Sequence, residues 1–116
     1  MSGPFRPDVT FSRRDPIEDE PSREPRYVVT AVAVRVGLRV QTLRRYEAIG
    51  LIEPETDETG HALYSEADID RIRRARRLVS DLGVNLAGAA AILHLRQQIL
   101  TLQRELRLMR ERDARR

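Results

Sequence analysis

Beyond residue 26, apolar side chains recur at helical spacing, and the pattern is broken at a few glycines. Val32, Ala33 and Val36 fall on one face and stop at Gly37, which predicts a first helix with Thr30 as its N-cap. A short extended segment at residues 27–29 precedes it. The stretch VQTLRRYEAIGLI, residues 40–52, predicts a second helix. Val40, Leu43 and Ile49 are expected to face a core, with Gln41, Arg44 and Arg45 pointing elsewhere. Gly50 stands where a left-handed C-cap is usual, and Leu51 can fold back onto the last turn. A helix, a turn around a glycine, and a second helix with amide and guanidinium groups on its free face form a helix-turn-helix pattern.

The polar stretch at residues 55–62, with Thr59-Gly60 as its turn signal, and the return to apolar character at Leu63 and Tyr64 predict a short β-hairpin, or wing, with Gly60 near the tip. Ser65 followed by Glu66 and Asp68 reads as an N-cap with a capping box. The helix it opens runs to about Leu82, with Ile69, Ile72, Ala75, Val79 and Leu82 as the apolar stripe. Gly83 ends it and Asn85 caps the next helix. From Leu86 onward there is no helix breaker. Ile92, Leu95, Ile99, Leu102, Leu106 and Met109 are spaced as the a and d positions of a heptad repeat, widened by Leu93, Leu100 and Leu108. A helix this apolar on one side must bury that side, against a second chain or against its own domain. Arg104, Glu105, Arg107, Arg110 and Glu111 suit its exposed flanks.

The predicted organisation is a disordered arm (1–26), a helix-turn-helix domain (27–84), a capping and coiled-coil helix (85–112) and a frayed tail (113–116). The arm holds five of the six prolines, with five Arg and six acids and no apolar period; it is a passive tail or a segment that touches DNA or a partner, with Arg13 and Arg14 the only hint of contact. The remainder holds sixteen Arg against twelve acids, within a net charge of +3 for the 116 residues. Aromatic content is only 4%, so the core is aliphatic and modest, and oligomerisation is expected of so small a chain. All 21 basic residues are Arg; Arg is the better phosphate fork, but the uniformity reads as genomic base composition rather than function.

The absence of Cys excludes disulfides and thiolate metal sites, and two His, His61 and His94, leave little for a His-based one. No apolar run approaches a membrane span or a signal peptide, so a cytoplasmic, nucleoid-associated protein is expected, without cofactor or metal. No catalytic constellation is present: there is no Gly-rich phosphate loop and no His beside a nucleophile. His61 at the wing tip is either turn material or a group that approaches phosphate. His94 reads as a helix-surface residue. The basic run Arg71, Arg73, Arg74, Arg76 and Arg77 reads as a solvated face or as a phosphate or partner surface. Arg39 sits at or beside the N-cap of the second helix, where a cation opposes the helix dipole. A phosphate there turns that cost into a gain.

The runs TLRRYEAIGLIEP, TGHALYSEADIDRI and LGVNLAGAAAIL together resemble the DNA-binding domain of MerR-family regulators, over roughly residues 27–106. Within that family, YVVTAVAVRVGLRVQTLR, the GVNLAG turn and the seam that follows directly are similar to HspR-type heat-shock repressors. The resemblance implies a mainly α, winged helix-turn-helix homodimer, joined by an antiparallel coiled coil, that binds an inverted repeat in double-stranded DNA. It implies repression of chaperone genes with the DnaK chaperone as co-repressor. Gln41, Thr42, Arg44 and Tyr46 fall on positions that contact bases or backbone in the family, and Arg45 replaces a commonly aromatic one. With Arg39, His61 and Tyr64 these are the candidate DNA-binding residues; Ile92, Leu95, Ile99, Leu102, Leu106 and Met109 are the candidate dimerisation residues. The chain departs from the family at Ala62, where the wing usually carries Arg, and at Arg39-Val40, where HspR members often carry His-Pro. Two other roles fit the same residues: an activator or effector-responsive regulator, and a module whose Arg-rich helices dock on a chaperone or acidic protein.

Overall fold

The computed structural model describes residues 20–115. Among the described residues four helices and one hairpin follow in order: α1 (Val29–Val36), α2 (Val40–Ala48), β1 (Glu55–Thr56), β2 (Ala62–Leu63), α3 (Glu66–Leu82) and α4 (Leu86–Ala114). Residues 21–94 make one compact unit; Glu20 and residues 95–115 belong to a second. The expected contacts of Arg13 and Arg14 lie outside the described residues.

The first unit is built on a single, mostly aliphatic core that also takes in the rings of Tyr46 and Tyr64. Val32 and Val36 of α1, Leu43 of α2, Leu51 and Ile52 from the exit of α2, and Ile69, Ile72 and Ala75 of α3 are buried together, with Ala89 and Leu93 from the start of α4. Each helix contributes one stripe and loses it where a glycine intervenes. Gly37 and Gly83 take left-handed conformations at the ends of α1 and α3. At the end of α2 the amide of Gly50 donates to Glu47 O (3.0 Å) and that of Leu51 to Tyr46 O (2.9 Å), a Schellman closure that turns Leu51 into the core. Gly50 has φ +80°, a conformation a side chain would strain.

Three sequence expectations differ from the structure. Thr30 does not cap α1: the N-cap is Val28, without a side-chain cap bond, because the backbone of Tyr27 is held against Tyr64 and the helix begins directly beyond that bridge. Ile49 is exposed, since it sits in the turn of the Schellman closure, and Tyr46 takes the core position expected of it. Val79 and Leu82, at the far end of the α3 stripe, are exposed because the buried part of α3 ends at Ala75. The basic run keeps a solvated side, with Arg73, Arg76 and Arg77 exposed, and four of its five arginines also reach groups within the fold. Arg71 Nε donates to Leu51 O (2.7 Å), Arg76 Nη1 to Val36 O (2.6 Å), Arg73 weakly to Arg35 O (3.5 Å), and Arg74 pairs with Asp70 (2.7 Å).

The capping box of α3 forms as expected. The amide of Asp68 donates to Ser65 Oγ, and the amide of Ser65 donates to Asp68 Oδ2. Burial holds the Asp68 carboxyl above the usual carboxylate range, against the lowering effect of the Ser65 donors. β1 and β2 pair antiparallel, Glu55 opposite Leu63 and Thr56 opposite Ala62, and the backbone of Tyr27 adds to the root of this hairpin through Tyr64. Arg35 lies over the Tyr27 ring and forms an ion pair with Glu66, which also accepts from the Tyr27 hydroxyl (2.7 Å). Residues 20–26 lie within the arm expected to be disordered. In the structure Ser22 O accepts from the amide of Ala67 and Arg26 pairs with Glu24, so this end of the arm is tied to the start of α3.

α4 starts within the first unit, where Asn85 Oδ1 caps it by accepting from the amide of Gly88 (2.7 Å), and it runs unbroken through the heptad seam, whose residues from Leu95 on belong to the second unit. Ile92, Leu95, Ile99, Leu102, Leu106 and Met109 are all exposed, while Leu93 and Leu100 are buried. Arg96 pairs with Glu20. Among the described residues no helix is long and apolar enough to cross a membrane.

Candidate nucleic-acid interface

The geometry of α2 follows from its nine residues. Leu43 and Tyr46 turn into the core and Val40 and Glu47 are half-buried, so Gln41, Arg44, Arg45 and Ala48 make the exposed face, at i, i+3, i+4 and i+7. This face is polar except at Ala48, whose small side chain allows a surface to come close. Arg39 is the N-cap residue, exposed, with no side-chain cap bond, and the first turn of α2 carries no acid. Its first backbone amides and the Arg39 guanidinium are therefore open to an anion at the same end of the helix.

Arg39, Arg44 and Arg45 make no hydrogen bond or ion pair with any described residue. They contrast with Arg35, Arg71, Arg73, Arg74 and Arg76, whose guanidiniums are engaged within the fold. Arg77 is also exposed and unpaired among the described residues, but it lies on α3. The structure thus sorts residues that look alike in the sequence into those engaged within the fold and those exposed without a bond to any described residue.

The remaining sequence-predicted positions divide. Thr42 and Tyr46 sit on the flank of α2, where with Arg45, Arg76, Val79 and Leu86 they line an open cleft of about 320 Å³. Tyr46 is only 7% exposed, so its ring is a core element rather than a projecting phosphate ligand. His61 is exposed at the tip of the wing, where the turn is organised by Asp57: Oδ1 accepts from the amides of Thr59 and His61 and from the Thr59 hydroxyl. Those donors, the Thr59 hydroxyl first, hold the Asp57 carboxyl below its usual range. Tyr64 requires correction. It is 1% exposed, and its hydroxyl donates to Glu47 Oε1 (3.0 Å), so it is an internal strut and not a DNA-facing group. Burial, then the Glu47 carboxylate, pushes its pKa up to about 12, which keeps it a protonated donor.

Glu47 and Ala48 were missed from sequence. An acid directly after the Arg44-Arg45-Tyr46 run was the available signal for Glu47, because a lone carboxylate on a basic helix needs a donor nearby.

Comparison with known proteins agrees with this architecture. The sequence profile of the MerR HTH family of regulatory proteins matches residues 27–95. A candidate heat shock protein HspR of Streptomyces coelicolor is 38% identical over 91 residues, which is 78% of this chain and 60% of that protein. The chain thus spans less than two thirds of the curated relatives it matches. Among solved structures, the N-terminal part of MtaN, the multidrug transporter activator of Bacillus subtilis, superposes with a TM-score of 0.55 at 27% identity, over 75% of this chain and 86% of that one. HiNmlR, a MerR family regulator lacking the sensor domain and solved bound to promoter DNA, shares the fold at a TM-score of 0.51 and 20% identity, over 76% of this chain and 87% of that one. A helix-turn-helix followed by a hairpin wing, matched by the family profile over more than half of the chain, places this protein in the MerR HTH family of regulatory proteins.

Proposed function

We propose that the chain is a sequence-specific transcriptional repressor that binds an inverted repeat as a homodimer and controls heat-shock or chaperone genes with a DnaK-type chaperone as co-repressor. The observation that carries the DNA-binding part is the exposed face of α2. Gln41, Arg44 and Arg45 stand there without internal partners, beside the open N-terminus at Arg39. In this reading α2 enters the major groove, Gln41 reads base edges through its amide, and the arginines hold phosphates. The exposed Ile92, Leu95, Ile99, Leu102, Leu106 and Met109 of α4 are covered by the same residues of a second copy, which presents two α2 helices to one face of the duplex. His61 brings the wing tip to the flanking backbone.

Likeness to the HspR of Streptomyces coelicolor supports the heat-shock assignment. Likeness to MtaN, named as an activator, supports a second reading in which the dimer distorts its promoter rather than blocks it. Selection of bound sequences from random duplexes tests the DNA reading. A pair of inverted half-sites is expected, and enrichment of no symmetric sequence would sink it. Transcription from a promoter bearing the selected site separates repression from activation. Adding a DnaK-type chaperone to the protein–DNA complex tests the co-repressor, which is expected to raise occupancy.

A further inference from the structure

Nine residues of α2 carry every candidate base contact, yet most of what holds this helix is apolar and without direction. Leu43 and Tyr46 pack into the core, and the Schellman closure fixes only where the helix ends. Packing of this kind resists withdrawal of the helix better than it resists a small roll about its axis. On a helix about 5–6 Å in radius with its side chains, a roll of about 10° moves a tip by about 1 Å, enough to spoil a bidentate contact to a base.

Among the described residues, one directional side-chain bond from α2 itself opposes that roll, whereas the bond from Arg71 meets the carbonyl of Leu51, beyond the end of the helix. Glu47 leaves the flank of α2 opposite the Thr42–Tyr46 cleft, and its Oε1 accepts from the Tyr64 hydroxyl at 3.0 Å. Tyr64 is a fixed point. Its ring is buried, its amide donates to Tyr27 O (2.7 Å), and its carbonyl accepts from the amides of Arg26 and Tyr27 (2.9 Å each). It also directly follows β2, at the root of the wing. The bond therefore ties the rotation of α2 to the hairpin and to the strand segment paired with it.

We propose that Glu47 and Tyr64 are a positioning pair that sets the roll of α2, and through it the discrimination between DNA sequences, without contributing to the sequence-independent part of binding. The inference rests on the reading that α2 enters DNA. A phosphate-contacting residue changes affinity for all duplexes and the salt slope. A residue that merely supports the fold changes thermal stability and lowers all binding in proportion to the unfolded fraction. A positioning pair changes the ratio of specific to random binding and leaves the other quantities in place.

The test uses the full chain, a duplex selected by the wild-type protein, and a random duplex of equal length. Tyr64→Phe keeps the ring and deletes only the donor. It is expected to weaken binding to the selected duplex about five- to tenfold, with random-duplex affinity within about twofold and the salt slope unchanged. Glu47→Gln keeps an acceptor oxygen and is expected to retain more of the ratio than Glu47→Ala, which loses it as Tyr64→Phe does. Melting curves confirm that each variant is folded at the assay temperature. A folded Tyr64→Phe protein that discriminates as well as wild type, or that loses selected and random binding equally, overturns the positioning role while leaving the DNA reading intact. A wild-type protein that prefers no duplex overturns both.

Discussion

Arg76 of α3 donates through Nη1 to the carbonyl of Val36 at 2.6 Å, joining the last residue of α1 to a helix forty positions further along the chain. Arg73 makes a weaker contact to the neighbouring carbonyl of Arg35, and Arg71 holds the carbonyl of Leu51 where the chain leaves α2. Arg35 and Val36 end α1, where carbonyls lack helical partners and cations are favoured by the helix dipole, whereas Leu51 lies three residues beyond the end of α2. The basic run of α3 thus holds the end of α1, before its turn into α2, and the exit of the chain from α2. Arg76→Ala is expected to lower stability by about 1–2 kcal/mol, the size of a hydrogen bond to a charged group. Arg77→Ala, which removes no described bond, is expected to be near neutral. Denaturant midpoints at constant m compare the two. A neutral Arg76→Ala would show that the bond contributes nothing in solution.

The arginines of α2 should behave the other way. Arg44 is exposed and makes no described hydrogen bond or ion pair, so its removal costs the fold little. If its guanidinium neutralises a phosphate, Arg44→Ala weakens binding to every duplex and reduces the slope of log K against log salt by about one unit. The slope of Arg76→Ala should match wild type. Equal slopes for wild type and Arg44→Ala would remove Arg44 from the interface.

The elements of this fold were legible because each is bounded by a local signal. The glycines at 37, 50 and 83, the Ser65–Asp68 capping box and the Thr59-Gly60 turn act within a few residues of themselves, and the structure realises all of them. What sequence did not show depends on contacts distant along the chain. Thr30 failed as a cap because Tyr27 pairs with Tyr64, thirty-seven positions away. The two classes of arginine cannot be told apart by composition, since Arg76 and Arg77 are adjacent and chemically identical, and only the position of Val36 separates them. Tyr64 is a candidate DNA-binding residue by sequence and buried in the structure, and a strand of two residues before it is too short for alternation to show which face is buried.

The Arg35–Glu66 pair gives the fold a readable pH dependence. The hydrogen bond from Arg35, followed by that from Tyr27, holds the Glu66 carboxyl below its ordinary value of 4.5. A carboxyl depressed in the folded state stabilises it fully above the unfolded value, and the contribution disappears as pH falls through the folded one. Buried Asp68 acts with the opposite sign, since its raised folded value favours the fold as protons bind. Glu66→Gln isolates the first effect. The variant should be less stable than wild type at pH 7, with the difference shrinking on acidification below about 4.5. Urea midpoints across that range provide the measurement. A difference that stays constant with pH would mean that the ion pair contributes no net stability.

The α4 seam poses the sharpest test of assembly. Leu102 is 63% exposed and lies at the centre of the row from Ile92 to Met109, none of whose members is buried in this chain. Six large apolar side chains left in water on one helix are costly, at roughly 25 cal/mol for each Å² of apolar surface that a partner would cover. A second copy offers an identical row, and heptad spacing lets the two interlock. Leu102→Asp places a carboxylate in the middle of that contact without disturbing the core of the first unit, which contains no residue beyond Leu93. The variant is expected to sediment as a monomer where wild type sediments as a dimer, and to keep the helix content of the first unit. Its binding to a full inverted repeat should fall towards that of a single half-site, because two linked α2 helices no longer act at one effective concentration. A variant that remains dimeric, or a wild-type protein that is monomeric at binding concentrations, would take α4 out of the assembly and leave the exposed row without the partner proposed for it.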